Sequence, residues 1–74
     1  MTPDLLTACG EALFGPRWQS EMSRALAVDD RTIRRWVAGD SPVPVGVAVD
    51  LLRLLSERAA EIDDLIPTLQ RVGS

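Results

Sequence analysis

The chain has 74 residues, eight arginines, eleven acidic residues, no histidine and a net charge of −3. A length of that order holds one domain, whose single core leaves roughly 3–5 kcal/mol of net stability unless something staples it. One cysteine rules out an internal disulfide, and with no histidine a metal site is not expected.

Dimerisation is then the remaining device for stability. Apolar content of 46% with charges of both signs interspersed describes a folded globule and not a disordered tail. The N-terminus has neither the basic stretch nor the apolar run of a signal peptide, and no window approaches the ~20 apolar residues needed to span a bilayer. A cytoplasmic protein without membrane contact is expected.

The opening stretch, TPDLLTACGEALFGP, has the marks of a helix: Thr2 as N-cap, Pro3 at the first helical position, Asp4 in the first turn and Gly15 as the stop before Pro16. Leu5, Leu6, Cys9, Ala12 and Leu13 recur at three- and four-residue spacings and are expected to form its buried stripe. Cys9 falls in that stripe and reads as a small buried hydrophobe. A second helix is predicted over residues 19–26 with Met22, Ala25 and Leu26 inward. A third is predicted over residues 30–38 with Ile33, Trp36 and Val37 inward. Trp18, just ahead of the second helix, is expected to pack at its entrance, and Trp36 reads as a core residue; neither is expected to stack on bases.

Asp29 or Asp30 is placed to cap the third helix, where a carboxylate suits the free N–H groups and the positive end of the helix dipole. Gly39 ends that helix, and Pro42 and Pro44 prevent its continuation. A long helix is predicted from about Val45 to Leu65, with Asp50, Arg53, Glu57, Ala60, Glu61 and Asp64 on its wet side. Pro67 is expected to end or kink it and to leave a short terminal turn. No strand pattern appears, so the expected fold is all-α: one compact domain of four to five helices.

Within the long helix, Ala48, Leu52, Leu55, Ala59, Ile62, Ile66 and Leu69 follow one another at spacings of four and three, a heptad seam. Val47, Leu51 and Leu54 form a neighbouring row. The two rows are wider than the other apolar residues of so small a domain readily cover. The row is therefore expected to close the core, while Leu55, Ala59, Ile62, Ile66 and Leu69 are expected to meet the same helix of a second subunit.

Positive charge is gathered in one part of the chain. Residues 16–38 carry five arginines and three acids, a local +2, whereas the remainder carries three arginines and eight acids, or −5. At 100° per residue the third helix presents Arg31, Arg34, Arg35 and Ala38 on the face opposite Ile33, Trp36 and Val37. The planar fork of arginine matches guanine O6/N7 or a phosphate in a bidentate way, and a helix is the element that fits the major groove.

The run from Gln19 to Gly39 resembles, without gaps, the helix-turn-helix of the lambda-repressor-like (Cro-type, XRE) family of bacterial and phage regulators. Gln19 stands at its start. Met22, Leu26, Val28, Ile33 and Trp36 meet the buried positions, and Ser23 is the small residue where the two helices cross. The helices before and after also stand where the family has them. Ala27 departs from the pattern, which commonly has glycine in a left-handed conformation there, so an adjusted turn is expected. The pair Asp29 and Asp30 departs from it as well, since neutral polar residues are usual at that point.

The resemblance implies that Asp30, Arg31 and Arg35 face base edges, although capping is the preferred role of Asp30. It implies that Gln19, Thr32 and Arg34 hold the phosphate backbone, with Arg17 and Ser41 as further contacts. The expected function is a sequence-specific double-stranded DNA-binding regulator, a repressor acting as a homodimer on an inverted repeat, with no cofactor, metal or small-molecule ligand. The alternative is a protein-interaction module on a helix-turn-helix fold that does not bind DNA. Catalysis is not expected, because there is no histidine and no phosphate-cradling glycine loop, and the carboxylates read as caps or solvated faces.

Overall fold

The computed structural model describes residues 1–73. They form four helices and no strand: α1 (Pro3–Phe14), α2 (Trp18–Leu26), α3 (Asp30–Ala38) and α4 (Val45–Val72). The start of α1 follows the capping chemistry, with the Thr2 hydroxyl accepting from the backbone N–H of Leu5 at 3.1 Å and Pro3 in the first turn. Gly15, at φ 80°, ends it.

The core is built from Leu6 and Leu13 of α1, Trp18 and Met22 of α2, Ile33 and Trp36 of α3, and Val47 and Leu51 of α4. Cys9, Phe14, Leu26, Val28, Val37, Val43, Leu54 and Leu55 pack half-buried around it. Three expected core assignments fail at the edges. Leu5 is 52% exposed, and Ala12 and Ala25 are exposed, so the buried stripe of α1 is Leu6, Cys9, Gly10 and Leu13. Gly10 belongs there because Trp18 lies on it: a Cβ on Gly10 would come within 2.2 Å of Trp18 Cε3. The indole is thus an integral part of the core and the first residue of α2, one position earlier than periodicity placed the helix start.

Both helices of the central pair end in the same way. At the end of α3, Gly39 is left-handed at φ 79°, its N–H bonds the carbonyl of Trp36, and the N–H of Asp40 bonds that of Arg35. At the end of α2 the N–H of Ala27 bonds the carbonyl of Arg24, and that of Val28 bonds Ser23 at 3.0 Å. Ala27 holds the same left-handed backbone at φ 56° and ψ 43°. The turn is therefore not adjusted for the missing glycine; it keeps its form at a strain of roughly 1–2 kcal/mol. Ser23 is buried beside it, and its hydroxyl donates to the Ser20 carbonyl at 2.8 Å, so the small polar residue is satisfied.

The largest departure from expectation concerns α4, which runs through Pro67 to Val72 with no fifth element. Proline removes an N–H that would otherwise bond the carbonyl of Asp63, four residues earlier. Every residue from 56 to 73 is exposed, so water can satisfy that carbonyl without burial of an unpaired group. Nearby, the Thr68 hydroxyl donates to the Asp64 carbonyl at 3.2 Å.

The molecule is accordingly elongated, 51 × 21 × 21 Å with a radius of gyration of 14.7 Å, against about 11 Å for a compact chain of this length. Arg58 marks where α4 leaves the body: its Nη1 donates at 2.9 Å to the carbonyl of Leu13, in the last turn of α1. Those carbonyls lack helical partners and carry the negative end of the dipole, which a guanidinium complements. Among the described residues no helix is long and apolar enough to cross a membrane.

Candidate nucleic-acid interface

Ile33 and Trp36 anchor α3 in the core, and this fixes which way its other side turns. Arg31, Arg34 and Arg35 are exposed and, together with Ala38 and Asp40, line a shallow, open concavity. The three guanidinium groups that the spacing put on one face thus share one surface, and none is turned inward.

Their electrostatic state differs from that of Arg24, Arg53, Arg58 and Arg71. Arg24 pairs with Glu21, Arg53 with Glu57 at 3.3 Å, and Arg58 with the Leu13 carbonyl and Glu61; Arg71 donates to the Thr68 hydroxyl. Among the described residues the side chains of Arg17, Arg31, Arg34 and Arg35 make no hydrogen bond and no ion pair. A solvated helix face with acids in reach forms i, i+3 and i, i+4 pairs, as Arg24, Arg53 and Arg58 do. Asp30 lies four residues before Arg34 and does not pair with it, so the donors of α3 stay available to an outside acceptor.

The remaining candidates divide. Asp29, not Asp30, is the N-cap residue of α3, and it caps through its backbone: its carbonyl accepts from the N–H groups of Thr32 at 3.1 Å and Ile33 at 3.3 Å, while no side-chain capping bond forms. The preferred capping role of Asp30 is therefore corrected. Asp30 is the first residue of the helix and its carboxylate is exposed. Arg17 is the exposed N-cap residue of α2, followed by buried Trp18 and half-buried Gln19. Thr32 and Ser41 are also half-buried, the latter in the connection to α4. None of Asp30, Gln19, Thr32, Arg17 and Ser41 lines the arginine concavity.

Asp40 lines it and was not singled out by sequence. Its position comes from the turn at Gly39, which folds the chain back so that the Asp40 N–H bonds the Arg35 carbonyl at 3.0 Å. The carboxylate is thereby held in the concavity without pairing to any arginine. A negative group at that place accepts hydrogen bonds from an amino group, such as cytosine N4, and repels phosphate.

The expected subunit contact lies away from this face. Leu55 is half-buried against the core, whereas Ala59 is exposed and Ile62, Ile66 and Leu69 are 49%, 48% and 68% exposed. Leu65 and Val72 extend the same apolar surface. Val47 and Leu51 are buried and Leu54 is half-buried, as expected for the row that closes the core. Among the described residues no group of acids, cysteine and histidine is arranged to hold a metal ion. Comparison with protein-family models, with curated proteins and with solved structures finds no match to this chain.

Proposed function

We propose that this protein is a sequence-specific double-stranded DNA-binding regulator, a repressor that acts as a homodimer by occluding a promoter. The observation that carries the proposal is the unpartnered state of Arg31, Arg34 and Arg35 on the outward face of a helix anchored by Ile33 and Trp36. Such a helix enters the major groove, with Arg31 and Arg35 donating to base edges, Asp30 beside them, and Arg34 on phosphate. Gln19, Thr32, Arg17 and Ser41 flank it as backbone contacts. A second copy covers Ile62, Ile66 and Leu69, and two recognition helices then read half-sites about 34 Å apart on an inverted repeat. Net charge −3 keeps nonspecific affinity low, because few cations displace counterions while most of the surface repels phosphate.

Selection of bound fragments from random duplex DNA tests the proposal directly. Enrichment of an inverted repeat, with binding that weakens as salt rises, is expected; recovery of no sequence above background overturns it. The overall acidity of the chain, together with Asp40 in the concavity, favours a second reading, in which the same face binds a protein. In that case duplex DNA is not retained at any salt concentration.

A further inference from the structure

The seam of α4 extends further than the distal half of the helix. Counting in sevens, Val45, Leu52, Ala59 and Ile66 fall at a positions and Ala48, Leu55, Ile62 and Leu69 at d positions. Val45 and Leu52, beside the body, are 81% and 66% exposed, as open as the distal members. Ala48 is half-buried and Leu55 packs half-buried against the body, so the open seam consists of the a positions along four heptads and the d positions from Ile62 onward, and with its flanks it amounts to on the order of 600 Å² per copy, the lower end of what a stable dimer buries. Resting on the homodimer proposed above, we propose that the second copy packs along this seam in parallel and in register, and that Arg58 of each copy pairs with Asp63 of the other.

Charge selects the direction. Arg58 is at a g position and Asp63 at the e position five residues on, and g faces e of the partner only when helices run parallel. In an antiparallel pair g meets g and e meets e, which sets Arg58 against Arg58 or Leu65 and Asp63 against Ser56 or Asp63, with no opposite charges joined. Among the described residues Asp63 has no ion pair. Arg58 uses Nη1 for the Leu13 carbonyl and Nε for Glu61, which leaves Nη2 for a partner. Shape agrees. Side by side, two copies each 21 Å across their short axes keep both bodies at one end of the pair, as two helices that read one stretch of DNA require. Antiparallel pairing of the distal segments alone sets the bodies about 50 Å apart, nearer one and a half turns of the duplex, and carries the helices to opposite faces.

Sedimentation of the unmodified protein and cross-linking of a double variant, Cys9→Ala with Leu69→Cys, form the test. A dimer whose variant oxidises to a covalent pair is expected, since residue 69 meets its own copy only in the parallel arrangement. A protein that stays monomeric at high micromolar concentration overturns the homodimer itself. A dimer in which the introduced thiol stays reduced overturns only the parallel register. As a second measurement, Asp63→Arg is expected to weaken dimerisation three- to tenfold, and adding Arg58→Glu to restore it; failure of the restoration removes the ion pair.

Discussion

The body of this molecule and the distal part of α4 treat the same kinds of side chain in opposite ways. Between Leu6 and Leu51, the leucine, isoleucine, methionine and tryptophan side chains of the core are covered by one another to within a few per cent exposure; from Ile62 to Val72 each leucine, isoleucine and valine is about half or more exposed. One part is held by non-local packing and the other by its own backbone hydrogen bonds together with whatever covers it. Fold stability therefore resides on other residues than the distal apolar surface on which the proposed homodimer rests, and a change to one is expected to have little effect on the other.

The sharpest way to break the body alone is Gly10→Ala. The new methyl group falls 2.2 Å from the Trp18 ring, between two helices that cannot separate without opening the core. A loss of about 3 kcal/mol is expected in urea unfolding; an unchanged midpoint would mean that Trp18 does not lie on α1. Arg35→Ala acts on function only. About 2 kcal/mol of affinity for the selected duplex should go, with relaxed preference at one base pair and the unfolding curve unmoved. Equal binding by wild type and variant removes Arg35 from the interface.

Ala27→Gly relieves the left-handed strain at the corner between α2 and α3 and should raise stability by about 1 kcal/mol; a decrease would show that the corner is not left-handed in solution. The smallest effect on the body is expected from Pro67→Ala. It restores a backbone bond within the exposed part of α4, so circular dichroism should report more helix while the body's unfolding free energy stays within about 0.5 kcal/mol. A larger shift would show that the two parts unfold as one unit.

Local chemistry made much of this legible. Thr2, Pro3, Gly15 and Gly39 bound α1 and α3 because caps and left-handed residues act over three or four neighbours. The arginine face followed from helical angle alone. The full burial of Trp18 escaped because it depends on Gly10, a residue of another helix, and Asp40 escaped because a turn carries it into the concavity. Periodicity places Leu5 in the core because it gives the width of an apolar face but not how much of it a neighbour covers. Pro67 misled for a related reason: proline stops a helix where its orphaned carbonyl would be buried, and at Asp63 it is not.

Trp18 and Trp36 are both enclosed, the chain has no tyrosine, and its one phenylalanine is Phe14. No aromatic chromophore lies beyond residue 36, so ultraviolet emission senses the packed bundle and is blind to the protruding rod. Far-ultraviolet ellipticity, to which the 28 residues of α4 contribute the largest single share, senses both. Recorded on one sample during heating, the two signals should diverge wherever the rod melts apart from the bundle.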